Sequence, residues 1–334
     1  MKPRRICILL ALLCCLLSFG GCKGTETRSE TFYSMGTTVT VTLYTFDSKA
    51  AQEAFEGCRA MMDELEALWS RQIAESEVSR FNAAPNGLER MDDRTASLLR
   101  LSLEVFHATN GAFDVTVAPL TDLWQSCDGG DELPTEEQLL EALSHVGAEK
   151  LTLAGNGLQK SDPATALELG GIGKGAAMTA LIEYLEDTDI AGGLVSFGSN
   201  VAVFGNKPNG EPFRVALRDP QNADATVGKM TLDAGKVLSV SGDYERYVTV
   251  GGKRYHHILN PKSGYPADTG LASVAVVCTD GALADALSTA LFVMGKDAAM
   301  SFYASGIYSF EAVLIDHAGN VHVTEGLTAD WIGD

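Results

Sequence analysis

Residues 239–266, SVSGDYERYVTVGGKRYHHILNPKSGYP, leave the chain fewer paths than any other stretch of the sequence. Gly251-Gly252 sits between Val248-Thr249-Val250 and Arg254-Tyr255. A Gly-Gly pair supplies the positive φ that a two-residue turn needs, so the flanks are expected to pair as an antiparallel hairpin. A hairpin sets polar side chains at its open end side by side, which lets Ser241, Asp243 and Glu245 face His256 and His257. The same pattern suits a solvated hairpin whose histidines merely lie near its end. Taken alone, the stretch favours that plainer reading.

Elsewhere the chain supplies strands and helices in separate runs. Residues 31–44 alternate as a strand through Val39, Val41 and Leu43. Ala51, Ala54, Phe55, Cys58, Met61 and Leu65 recur at helical spacing behind Ser48 as N-cap. Residues 79–87 read as a loop and 93–108 as a second helix, stopped by Asn110-Gly111. Residues 111–124 read as strand or loop, because β-branched residues and Pro119 interrupt them; Asp114 is the early carboxylate there, among apolar neighbours. Thr135 and Gln138 have capping-box spacing for a third helix that Gly147 ends. Short strands near 150–153 and 166–169 lead to a glycine run and a helix reaching about Glu186. From Gly193 strands dominate, at 193–197, 201–204, 213–217, 271–277, 312–315 and 321–323, with one helix at 282–294. Adjacent antiparallel runs of this kind imply an α+β fold, antiparallel sheets with packed helices.

Residues 1–21 explain their own charge. Lys2, Arg4 and Arg5 precede the apolar residues 6–17, a run too short to span a bilayer, and Phe19-Gly20-Gly21-Cys22 resembles a bacterial lipobox. The expectation is a leader over 1–21, a lipidated Cys22, a polar tether over 22–30 and one domain over 31–334, held outside the cytoplasmic membrane. Losing the leader lowers the net charge from −19 to −22. So acidic a body is not built to hold nucleic acid through its own field. Cys58, Cys127 and Cys278 remain, too few and too widely spaced for a disulfide framework or a CxxC metal site.

Two stretches carry chemistry. Gly171, Gly173 and Ala176 fit G-x-G-x-x-A, but antiparallel strands follow where a dinucleotide fold needs further parallel units. The P-loop pattern fails because Gly175, not Ser or Thr, follows Lys174. What remains is either a cradle for phosphate, from bare N–H groups and one lysine, or a tight strand–helix turn. In the helix at 282–294, Asp285 is the only charge, and Thr289 lies one turn on. That pair suits a hard cation, with Ser288 adding an oxygen, and equally suits a dipole-stabilising Asp with a back-bonded Thr.

The combination is more specific than its parts. Met35-Gly36-Thr37, Ser79-Arg80-Phe81-Asn82, Gly111-x-Phe113-Asp114-x-Thr116-x-x-Pro119-Leu120, the run Gly170–Gly175, Ser241-Gly242-Asp243-Tyr244, His257-Ile258-Leu259-Asn260-Pro261 and Asp285-Ala286-Leu287-Ser288-Thr289-Ala290 occur in that order. Together they resemble the ApbE family of FAD:protein FMN transferases, from about residue 31 to the end. The resemblance implies an ApbE-like (T-fold-like) α+β domain with an FAD cleft. It implies a Mg²⁺-dependent enzyme that moves FMN from FAD to a Thr or Ser hydroxyl of a membrane redox protein, forming a phosphoester and releasing AMP. Met35, Ala112, Phe113 and Asp114 would line the flavin; Glu168, Lys174 and Ile258 would hold the rest of FAD. Asp285, Thr289 and Ser288 would bind the metal, joined by a carbonyl of Gly171 or Gly173. His257 matches the family's base, with Asp243 as the alternative. Glu168, Ala176, Gln72 and Ser199 depart from the usual family residues. An FAD pyrophosphatase and a non-catalytic flavin-binding lipoprotein are the other functions this pattern allows.

Overall fold

A computed structural model describes residues 25–328 and 330–333; Cys22 and the leader lie outside the described residues. Its centre is one antiparallel sheet of eight strands whose spatial order follows the chain. These are β1 (Glu26–Ser34), β2 (Thr37–Thr45), β3 (Gly192–Phe197), β4 (Asn200–Gly205), β5 (Val237–Gly242), β6 (Leu271–Cys278), β7 (Glu311–Asp316) and β8 (Val321–Val323). The helices are α1 (Ser48–Trp69), α2 (Glu77–Ala83), α3 (Asp93–Ala108), α4 (Ala118–Ser126), α5 (Glu136–Ser144), α6 (Gly173–Glu186), α7 (Gly281–Met294) and α8 (Lys296–Ala304).

The sheet is covered on both faces, which its sequence records. β6 is buried at every position, Leu271 through Cys278. Val274, Val276 and Cys278 join the core beneath α1, α3, α6 and α7. Ala275 and Val277 point the other way, against Phe213, Leu217, Met230 and Leu232 of a smaller sheet formed by Phe213–Asp219, Asn222–Leu232 and Ile332–Gly333. A strand sandwiched in this way reads as a continuous apolar run rather than an alternation. α7 is likewise buried nearly all round; between Gly281 and Val293 only Thr289 reaches out.

Several expectations need correcting. Residues 26–30 are not tether: they pair with Thr45 to Val41 as the start of β1. Residues 31–44 form two strands, because Met35 and Gly36 take positive φ (49° and 69°) and turn the chain back. That turn lacks the Gly-Gly or Asn-Gly signature, so the two strands read as one. Residues 77–83 are a helix capped by the Ser76 side chain on the Ser79 N–H. Pro119 opens α4 instead of interrupting a strand, since a first-turn proline loses no helical bond. Residues 166–169 supply only an isolated bridge to Val117, and the N-cap of α1 is Asp47. The strand Asn222–Leu232 and helix α8 carry no sequence signal strong enough to have been read.

The Thr135–Gln138 capping box and the Gly251-Gly252 hairpin are both present. All pairings of the eight-stranded sheet are antiparallel, which removes the dinucleotide fold.

α6 and α7 meet backbone to backbone. A Cβ on Gly175 would fall inside the Gly281 carbonyl and 2.7 Å from Asp285 Cβ. Gly175→Ala should therefore cost roughly 1–3 kcal/mol through forced separation of the helices. A urea titration with an unchanged midpoint would show that the helices are free to part.

Candidate functional site

A cleft of about 710 Å³ opens where the β5 end, the glycine turn, α7 and the 247–256 hairpin converge. Strand alternation prepares its floor. Leu238 and Val240 face the smaller sheet, so Ser239 and Ser241 face α7. Asp285, only 3% exposed, is held from four directions. Ser239 donates to its Oδ1 at 2.7 Å and Asn200 at 3.4 Å; the Gly175 N–H donates to Oδ2 at 3.0 Å, and Lys174 Nζ stands 3.9 Å away. A buried carboxylate without such partners would be costly.

One turn on, Thr289 Oγ1 lies 3.2 Å from Ser241 Oγ and borders the cleft. Ser288 is fully buried and donates to the Asp285 carbonyl at 2.9 Å, so it accepts a hydrogen bond from Ser241 at 2.8 Å, and it does not line the cleft. Gly171 packs on Phe113 and Thr289, where a Cβ would sit 3.3 and 3.5 Å from them, and its carbonyl accepts no bond among the described residues. Gly173 is buried and faces Leu169 and Trp69 instead. Asp285, Thr289 and Gly171 thus present a carboxylate, a hydroxyl and a carbonyl to one end of the cleft. No group of three His, Cys, Asp or Glu suited to a metal exists among the described residues. A hard cation that keeps waters and borrows phosphate oxygens needs only one carboxylate, so these residues fit Mg²⁺ and not a soft metal.

Lys174 donates to the Gly170 carbonyl at 2.8 Å. Glu168 accepts from the Gly170 N–H at 2.9 Å and from Arg71 at 3.0 Å, and Arg71 also pairs with Asp122 of α4. The glycine turn is thus tied to α4 and to the segment after α1 by an arginine that gave no signal in the sequence. Ala112, Phe113, Asp114 and Ile258 line the cleft. Asp114 is committed to its own loop, however, accepting from Thr116 N–H (2.8 Å), Thr116 Oγ1 (2.6 Å) and Ala148 N–H (3.1 Å). Burial pushes its carboxyl above the usual range despite those bonds. Met35 does not line the cleft; its side chain packs on the core and its N–H donates to Glu66, leaving Gly36 and Thr37 at the rim.

The two histidines separate by role. His256 Nε2 bonds the Ala267 carbonyl at 3.1 Å, its ring edge meets Phe292, and burial lowers its pKa. His257 lies against the cleft, with both its N–H (3.1 Å) and its Nδ1 (3.0 Å) on the Arg246 carbonyl. A carbonyl can only accept, so Nδ1 carries the proton and Nε2 keeps a free lone pair. The protein packed around the ring pushes its pKa down to about 4, with Lys174 and Arg246 adding repulsion. One side of the ring is open to cleft water, which tempers the shift, but its direction leaves a neutral imidazole at pH 7. Asp243 is half-buried outside the cleft lining, 3.4 Å from His317, and burial raises its pKa. It does not share the cleft with His257. Glu245 bonds Ser199 and not the histidines.

Residues 35–314 match the model of the ApbE family. An FAD:protein FMN transferase of Haemophilus influenzae is 32% identical over 300 residues, 85% of this chain and 86% of that protein. One from Vibrio cholerae is 30% identical over 87% of this chain and 89% of its own length. The crystal structure of the apo flavinyl transferase ApbE of Pseudomonas stutzeri superposes with a TM-score of 0.78 at 30% identity, covering 90% of this chain and 95% of that one.

His257 also makes stability depend on pH. Its folded pKa lies below the unfolded 6.5, so the unfolded chain takes up the proton first as pH falls. Its stabilising contribution is complete above about pH 6.5 and declines towards pH 4. In thermal melts, His257→Gln should lose less Tm between pH 7 and pH 4.5 than the parent chain; equal losses would mean that the ring titrates normally.

Proposed function

The chain belongs to the ApbE family, and we propose that it is a flavin transferase that moves FMN from FAD to a Thr or Ser hydroxyl of a partner protein. The observation that carries this reading is one cleft holding an oxygen-only donor set, a lysine at the start of α6 and a neutral histidine. Asp285, Thr289 and the Gly171 carbonyl would hold Mg²⁺, which neutralises phosphate charge when bound. Ser288 supports Thr289 through Ser241 rather than binding directly.

Lys174 and the N-terminus of α6 attract the FAD diphosphate. Phe113, Ala112 and Ile258 supply apolar surface for the nucleotide's rings. His257 Nε2 takes the proton of the acceptor hydroxyl as that oxygen attacks the FMN phosphorus. The phosphorus–oxygen bond to AMP breaks, AMP leaves with the bond's electron pair, and a phosphoester joins FMN to the acceptor. Positioning and charge neutralisation supply most of the acceleration in such a transfer, and a placed base about 10²–10⁴-fold.

We place the enzyme outside the cytoplasmic membrane on a lipid at Cys22, serving a membrane redox protein, on the strength of the leader pattern. Since β1 starts at Glu26, only residues 23–25 separate that cysteine from the first strand. Three residues reach about 10 Å at most, so the domain would ride close to the lipid.

Incubation with FAD, Mg²⁺ and a flavin-accepting protein should give covalent FMN on the acceptor and free AMP. Asp285→Ala should abolish metal-dependent turnover, and His257→Ala should slow transfer about 10²–10⁴-fold with FAD affinity largely kept. AMP released equally without acceptor would replace the transferase by a pyrophosphatase, and intact FAD would leave only binding. Wild-type activity in Asp285→Ala would remove that residue from the metal site.

A further inference from the structure

The base reading of His257 leaves open what holds its ring. The hairpin that leads to it, Tyr247–Val250 with Lys253–His256, forms a sheet of its own and joins no other strand among the described residues. At its tip the 128–130 segment holds it, through Gly129 N–H to the Thr249 carbonyl (2.8 Å) and Gly251 N–H to the Gly130 carbonyl (2.9 Å). At its stem, side chains do the holding. Glu245 accepts from Ser199 on the β3–β4 turn, and Arg246 Nη2 donates to the Gly36 carbonyl on the β1–β2 turn at 2.9 Å. Those two turns are neighbours, since Gly198 N–H bonds the Thr38 carbonyl.

Arg246 therefore works at both of its ends. Its guanidinium is fixed on the sheet rim, and its carbonyl is the acceptor for both nitrogens of His257 named above. We propose that Arg246 is a positioning residue for the base: anchored to Gly36, it holds the carbonyl that fixes His257 as the Nδ1–H tautomer with Nε2 facing the acceptor hydroxyl. This rests on the transferase reading for its consequence in catalysis, but the tautomer itself does not depend on it. Without the Gly36 anchor the 245–247 segment is free to shift, and the carbonyl with it. A ring that loses this acceptor populates the Nε2–H form, which has no lone pair to offer at the cleft.

The charged groups around the ring are Lys174 from α6, Arg246 itself and His256 on the adjoining strand. Lys174 is also the near neighbour of the Asp285 carboxylate, which takes up part of its charge. Removing the Arg246 charge withdraws repulsion from the imidazolium, so the His257 pKa should rise.

The experiment is ¹⁵N NMR of the imidazoles in the full chain, assigned by loss of the His257 signal in His257→Gln. The parent chain at pH 7.5 should show a dominant Nδ1–H tautomer at His257. Arg246→Met should show mixed tautomers and a raised titration midpoint, while Arg246→Lys, which keeps the charge and one donor, should restore most of the parent pattern. With FAD, Mg²⁺ and acceptor, Arg246→Met should lower kcat about tenfold with KM for FAD within twofold, and move the acid limb of the rate profile upward. An unchanged tautomer ratio in folded Arg246→Met overturns the proposal, as does a loss that falls on KM alone. If His257→Ala transfers FMN at the parent rate, the base reading falls instead, whatever the spectra show.

Discussion

Two helices that begin against one another with no side chain between them set the geometry of everything nearby. Gly175 near the start of α6 touches Gly281 at the start of α7. That approach is what lets Asp285 reach the Gly175 N–H. The first N–H groups of a helix have no partner of their own, and α6 has no capping side chain at Ile172. Asp285 caps α6 from a different helix. The carboxylate is therefore structural and chemical at once: one oxygen completes a helix terminus, and the other is steadied by Ser239 and Asn200. Choosing between a buried capping Asp and a ligand is unnecessary, because the capping geometry is what brings the carboxylate to the cleft.

The electrostatics of the cleft run against those of the chain. A body carrying −19 repels an anionic nucleotide at long range. At physiological ionic strength, charges more than about 8 Å apart in water are largely screened. What a diphosphate meets at contact is Lys174 and Arg218, on the cleft wall beside the start of α6. Asp114, Asp128, Glu168, Glu245 and Asp285 are the acids of the cleft lining, and each already accepts from donors. The local field is thus available to phosphate although the global one is not. Burial of the ring, with added repulsion from Lys174 and Arg246, keeps His257 neutral.

How much of this the sequence disclosed follows from range. Local signals were legible: the Gly251-Gly252 turn, the capping box and α6 and α7 lie where spacing put them. The antiparallel architecture was legible too, from the way strands cluster. Partners far apart in the chain were not. Ser239 and Asn200 on Asp285, Arg71 between Glu168 and Asp122, and Arg246 on Gly36 are joined over 46 to 210 residues, and nothing in their local composition marks them. Met35 illustrates a subtler failure. Its motif was read correctly, but the motif marks a turn whose glycine, not its methionine, reaches the cleft. Asp114, which the resemblance assigned to the flavin, does line the cleft, but its oxygens bind the loop that presents Phe113.

The two walls of the cleft are built to different standards of rigidity. Asp285 and Thr289 stand on α7, which is packed on all sides in the main core, and Ser241 stands on β5, inside the eight-stranded sheet. Moving any of them means disturbing close-packed interior, which is costly. His257 follows a two-stranded hairpin, a unit that is marginal by itself and depends on what it docks against. Its docking contacts are the 128–130 segment, the packing of Tyr255 on Trp124 and the Glu245 and Arg246 side chains. Those contacts involve the small cluster around Trp124 and Leu259 and leave the main core under the eight-stranded sheet untouched. A site that must admit first a nucleotide and then a segment of another protein gains from that division. The end formed by α7 and β5 keeps its geometry, and the wall bearing His257 can yield.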